Sequence, residues 1–225
     1  MRRRALLLTL GLPPALLRGA IAPAAAAPRG GRDQRQAMDA LLETVMQRLA
    51  AVPESRASFT ETRTLAALSA PVRSSGRLAY QRPDRMEQIT VWPRLEVLRV
   101  AAGQVSLTEG QGAQGQGAPQ ELSLAAHPAL AGLVEAILGT LAGDLTGLRR
   151  AYHVAIAGTP EAWRLTLLPR EAVLARLVRQ VTIDGAGAAL RRVRTVQANG
   201  DVSLMSIAPI GTPVGPPART GLPGG

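Results

Sequence analysis

Ser75-Gly76-Arg77-Leu78-Ala79-Tyr80-Gln81-Arg82-Pro83 is the stretch on which the reading of this chain turns. At the two-residue period of a strand, Leu78, Tyr80 and Arg82 share one face, and Arg77, Ala79 and Gln81 share the other. Pro83 has no N–H to give, so the ladder stops there. An arginine in line with two apolar side chains has two readings. Either the strand has reached solvent by its last residue, since arginine is seldom buried without a partner. Or Arg82 stands at the mouth of an apolar cavity and holds something by hydrogen bonds.

Outward from this stretch the period stays at two. Before it, Ala57, Phe59, Glu61, Arg63 and Leu65 alternate with Ser58, Thr60, Thr62 and Thr64, a threonine-rich strand. After it come Met86 to Trp92, ended by Pro93, then Leu95 to Ala101 and Gln104 to Glu109, with Gly103 as the hairpin turn between the last two. Turn signals at roughly 8–12-residue intervals suit an antiparallel meander closing into a sandwich or barrel. Strand–helix–strand alternation is missing, which argues against a doubly wound nucleotide fold. Gly110 to Gly115 does match G-x-G-x-x-G, but it continues into Gln-Gly-Ala-Pro, so no helix opens to receive a pyrophosphate. A flexible hairpin loop is the better account.

The chain returns to strands after Glu121 to Ala125 and an apolar helix. Tyr152 to Ala157, Ala162 to Leu168 and Arg179 to Ile183 form one series, completed by Leu190 to Ala198 and Val202 to Ile207. Asn199-Gly200 joins the last two as an expected type I′ turn. Residues 170–178 read as a short helix or a loop.

Two helices interrupt this pattern. From Asp33 to Ala51 the residues Met38, Leu41, Leu42, Val45 and Leu49 recur at three- and four-residue steps, and Pro53 closes the segment. From Pro128 to Gly143, Leu130, Leu133, Val134, Ile137, Leu138 and Leu141 give a wide apolar face with Glu135 as the one charge. A helix this apolar must be largely covered. It reads either as a core helix or as a lid over a ligand cavity; Gly132, Gly139 and Gly143 weaken it, as a moving lid would require.

Composition narrows the function. The 225 residues allow one domain with tails. All 26 basic residues are arginines, and cysteine is absent, which removes disulfides, thiolate metal sites, a cysteine nucleophile and a cysteine-linked lipid anchor. Setting aside Arg2, Arg3, Arg4 and Arg18, 22 basic residues face 16 acidic ones, a net +6. That mildly basic surface has neither a long basic run nor enough aromatics to stack bases, so nucleic acid is not the expected partner. Arg2-Arg3-Arg4, the apolar run Ala5 to Leu17 and the small residues Ala22 to Ala27 read as an export signal over residues 1–27, by the general or twin-arginine route. Residues 28–210 read as the working domain outside the cytoplasm, and residues 211–225 as a disordered Gly/Pro-rich tail.

Catalytic patterns are missing. There is no G-x-S-x-G, no H-E-x-x-H and no P-loop, and the two histidines, His127 and His153, are too few for an all-histidine zinc site. His153 reads as a structural strand residue and His127 as a helix-entry residue. Acid pairs such as Asp84/Glu87 lie on charged turns without an aromatic cleft for a sugar.

At this point the residues resemble a family. Ala57-Ser58-Phe59-Thr60 and Gly76-x-Leu78-x-Tyr80-x-Arg82-Pro83 look like the first strands of the periplasmic outer-membrane lipoprotein carriers, the LolA family. Trp163-x-Leu165-x-Leu167-x-Pro169, and the Val181–Ile183 strand leading into Asn199-Gly200, are similar to its second half. Pro83-Asp84-Arg85-Met86-Glu87 and Ala142-Gly143-Asp144-Leu145 resemble LolA-related proteins found with aryl-polyene pigment biosynthesis.

The resemblance implies a mainly β fold with α: an open antiparallel β-barrel (half-barrel) covered by helices, LolA/LolB-like, with an apolar hollow for acyl chains. It implies no enzyme and no cofactor. Carried over, Arg82 is the latch that hydrogen-bonds to the lid, and Phe59, Leu78, Tyr80, Trp92, Leu133, Ile137, Leu141 and Trp163 are the ligand-binding set. Partners follow: acyl chains of lipoproteins or glycolipids, an inner-membrane export complex and an outer-membrane acceptor, all served by a monomer. The competing class is a periplasmic interaction module whose barrel is filled and dry.

Overall fold

The computed structural model describes residues 30–110 and 119–210. The expected export signal, most of the glycine/glutamine loop and the expected tail lie outside the described residues.

The described residues open with helix α1 (Gly30–Ala50). Residues 32–40 are exposed throughout, Met38 included, and contact with the sheet begins near Leu41. The buried stripe is therefore Leu42, Val45, Met46 and Leu49, with Met46 in place of the expected Met38. Six strands follow: β1 (Glu54–Thr64), β2 (Val72–Gln81), β3 (Arg85–Trp92), β4 (Glu96–Ala101), β5 (Gln104–Glu109) and β6 (Gln120–Ser123). Helices α2 (Pro128–Ala142) and α3 (Leu145–Ala151) intervene before β7 (Tyr152–Thr159) and β8 (Ala162–Pro169). The single-turn helix α4 (Ala172–Ala175) leads into β9 (Val178–Ala186), β10 (Ala189–Gln197) and β11 (Val202–Pro209).

All eleven strands form one antiparallel sheet in the order β6-β5-β4-β3-β2-β1-β11-β10-β9-β8-β7. Each half is a meander, and the two halves join where the first strand pairs with the last, Phe59 opposite Ile207 and Glu61 opposite Met205. The sheet does not close: β6 and β7 remain as its two edges. The expected open, helix-covered β architecture is what the chain adopts.

The alternation read in the sequence sets which face carries the core. Trp163, Leu165 and Leu167 on β8, Val181 and Ile183 on β9, and Tyr152 and Ile156 on β7 share one face with Val193 of β10. Against them pack α1, α3 Leu148 and α4 Leu174. A second cluster of Tyr80, Val100 and Val105 meets the other side of α2 at Leu138. Helix α2 thus touches both clusters, as an almost wholly apolar helix must. Its glycines serve close approach: a Cβ at Gly132 would meet Leu174, and one at Gly139 would meet Leu148.

Local details depart from expectation in three places. Helix α3 lies where no helix is read from periodicity; Asp144 caps it, its Oδ1 accepting from Gly147 N–H at 2.9 Å. At Asn199-Gly200 only Gly200 has a positive φ, 93°, and its N–H donates to Gln197 C=O. That is a three-residue loop ending in a left-handed glycine rather than type I′, which needs positive φ at two successive residues. The type I′ geometry occurs instead at Ala102-Gly103, with φ values of 50° and 74° between paired Ala101 and Gln104.

Candidate functional site

Large side chains fill the β7–β10 side of the inner face, while small ones dominate its middle. Ala57 on β1, Ala189 and Thr195 on β10, and Ser203 on β11 leave volume that the helices overhead do not occupy. The result is a cavity of about 260 Å³ between sheet and helices. For scale, a dry apolar cavity of about 150 Å³ is enough to bind benzene. Along β1 it runs from Ser55 to Glu61, six strand steps or about 20 Å.

Its roof is apolar. Leu133, Ile137 and Leu141 recur every fourth residue of α2 and point one row of side chains at the cavity, joined by Leu49 of α1. From the sheet come Leu78 and Tyr80 of β2, Met86 of β3, and Met205 and Ile207 of β11. Most of these are half-buried, because their free surface is on the hollow rather than in a packed core.

Of the residues expected to bind ligand, Leu78, Tyr80, Leu133, Ile137 and Leu141 are brought together in this lining. Phe59 shares the inner face but is wholly buried, its ring against Gly76, so close that a Cβ there would strike both the ring and Ile89 C=O. Trp163 is 2 % exposed in the packed core, its Nε1–H donating to Gly187 C=O at 2.9 Å. Trp92 is 49 % exposed at the end of β3, outside the lining. Trp163 falls outside because the hollow lies toward β1, β2, β3, β10 and β11, and Trp92 because it sits at the end of β3 remote from Met86, past a register shift.

Arg82 lies one residue past the end of β2 and is exposed. Its backbone N–H donates to Pro53 C=O, and its guanidinium makes no hydrogen bond or ion pair among the described residues. No hydrogen bond or ion pair among the described residues joins it to the roof. Its charge is nevertheless felt at Tyr80: burial pushes that phenol up, and Arg82 partly opposes the shift. The Tyr80 hydroxyl is buried with no hydrogen-bond partner among the described residues.

Sequence reasoning missed Glu61. It is 6 % exposed yet lines the cavity, with Ser74 Oγ donating to Oε2 at 3.2 Å and Ser203 Oγ to Oε1 at 2.5 Å. Its place in line with Ala57 and Phe59 was the available signal. The second polar feature is Glu135 on α2, whose Oε1 is buried and unpartnered among the described residues. Burial is the first cause that pushes this carboxyl up; Asp144 adds to it and Arg150 opposes it.

Among the described residues, no group of three His, Asp or Glu side chains could hold a metal ion. No described helix is long and apolar enough to cross a membrane.

The family described as "Outer membrane lipoprotein carrier protein LolA-like" matches residues 33–212. No curated protein sequence matches. Among solved structures, a LolA superfamily protein from Nitrosomonas europaea is 12% identical with a TM-score of 0.39, the match covering 78% of this chain and 94% of that one. A DUF1329 family protein from Desulfovibrio piger is 8% identical with a TM-score of 0.41, covering 76% and 92%. The MucA/MucB complex of Pseudomonas aeruginosa gives 10% identity and a TM-score of 0.37, covering 74% of this chain and 55% of that one.

Proposed function

The chain belongs to the outer membrane lipoprotein carrier LolA-like family, and from that premise we propose that it is a periplasmic carrier that takes acyl chains into the cavity beneath α2. The observation that carries this reading is the hollow itself. A protein built only to present a filled barrel would pack its middle as tightly as its β7–β10 side, since interiors are normally close-packed.

The energetics suit a carrier. Burying a chain of roughly sixteen carbons at about 0.8 kcal/mol per methylene yields of order 12 kcal/mol before ordering costs. A carrier must also release, so part of that gain has to be offset. In this reading Arg82, whose guanidinium makes no hydrogen bond among the described residues here, latches the roof in an empty state more closed than the one described, by hydrogen bonds worth about 1–3 kcal/mol. Arg82→Leu is then expected to stay loaded longer, measured as the lipid fraction retained after incubation with acceptor vesicles; release as fast as wild type would remove the latch role.

The cargo is the acyl chain of a lipoprotein or of a free lipid such as a polyene-bearing glycolipid. It is handed from an inner-membrane export complex to an outer-membrane acceptor, without catalysis. The working domain spans residues 28–210 after removal of an export signal. Native mass spectrometry of protein isolated from the periplasm without detergent tests the proposal. Added masses that fragment to acyl or polyene chains are expected. A protein still bare after incubation with host membranes would instead favour the dry interaction module.

A further inference from the structure

Glu61 is a charged side chain on the wall of an apolar cavity, and its partners account for only part of its capacity. Ser74 Oγ serves Oε2, while Ser203 Oγ and, at 3.1 Å, the half-exposed Arg63 Nε serve Oε1. A carboxylate offers about four acceptor positions, so among the described residues one is left on a group that lines the hollow. The surroundings at this end are polar as well: Ser203 lies opposite Thr195 in register, and both line the cavity. At the other end Tyr80 contributes a buried hydroxyl without a partner among the described residues.

A purely structural tie across β2, β1 and β11 would be served by a neutral glutamine. A charge held on the wall has a chemical consequence. Arg63 offsets part of that charge at Oε1, but a methyl terminus pushed against the carboxylate still strips it of water and returns nothing, and an anionic terminus brings no donor to it. A neutral donor compensates it with a charge-assisted hydrogen bond, stronger than a neutral one.

We propose that the Glu61 end of the cavity is a subsite that selects cargo whose buried apolar chain carries an uncharged hydrogen-bond donor, a hydroxyl or amide N–H, at its far end. This deepens the acyl-chain reading above and rests on it.

The test is displacement of a fluorescent fatty-acid probe by hexadecanoic acid and by 16-hydroxyhexadecanoic acid, ligands that differ only at that end. Wild type is expected to bind the hydroxylated acid at least about tenfold more tightly. Glu61→Gln, which keeps the shape and one acceptor oxygen, reduces the preference; Glu61→Leu abolishes it. Equal binding by wild type, or a preference that persists in Glu61→Leu, overturns the subsite. Should Glu61→Leu fail to fold, the wild-type comparison and Glu61→Gln still decide. If neither acid nor the probe binds a normally melting wild type, the acyl-chain reading itself fails, a different result from equal binding.

Discussion

Glu135 shows how one side chain can work against the fold that holds it. Its carboxyl has a buried oxygen unpartnered among the described residues, and its pKa is raised, first by burial and then by Asp144. The folded chain therefore holds this proton more tightly than the unfolded chain does. Below the unfolded value, roughly pH 4, nothing is lost; as pH rises through the folded value, Glu135 ionises in place and destabilises the protein. Glu135→Gln is expected to melt higher than wild type at neutral pH, with the gap closing near pH 4. A lower neutral-pH melting temperature would contradict this. Such a residue was visible in the sequence as the one charge on an apolar helix, yet its cost was not, because that depends on Asp144 and the α2–α3 packing around it. Glu61 was hidden for the same reason: alternation placed it inward, but Ser74 and Ser203 reach it only through register.

At the scale of elements, α2 and its exit decide how the roof sits. Gly143 ends the helix with φ 68°, and its N–H reaches Thr140 C=O. A Cβ there would fall on Met46 C=O of α1 as well as strain the backbone. Gly143→Ala is expected to cost at least about 2 kcal/mol, strain and displacement of α1 together, read from urea denaturation midpoints. A loss below about 0.5 kcal/mol, the range of an ordinary surface change, would show that the α1–α2 contact yields easily. The glycines of α2 read in sequence as softening a lid. In the fold they let α3 and α4 pack close, a meaning that only the neighbours could supply. Strands and both long helices were legible because their periods are strong; α3 was not, being seven residues whose main signal is a single capping aspartate.

For the molecule as a whole, the proposed carrier role makes the hollow a trade of stability for capacity. Ala57→Leu puts a larger apolar side chain into it from the centre of the sheet. The expected outcome is a melting temperature equal to or above wild type, with affinity for a fluorescent fatty-acid probe falling at least about tenfold, since a blocked cavity loses several buried methylenes of ligand. Unchanged affinity would move the binding site elsewhere.

The sequence by itself determined the antiparallel meanders, the apolar stripes of α1 and α2, and the inward face of the opening stretch, because side-chain period is a local property. It also carried the family, through short motifs in a particular order. Tertiary structure alone decided that β1 pairs with β11, that Trp163 fills a core while Trp92 faces solvent, and that Arg82 ends beyond its strand. It alone decided, too, that Ala57, Ala189 and Ser203 meet beneath α2. A cavity is made by what distant small residues fail to fill, and no local pattern records an absence shared between strands so far apart in the chain.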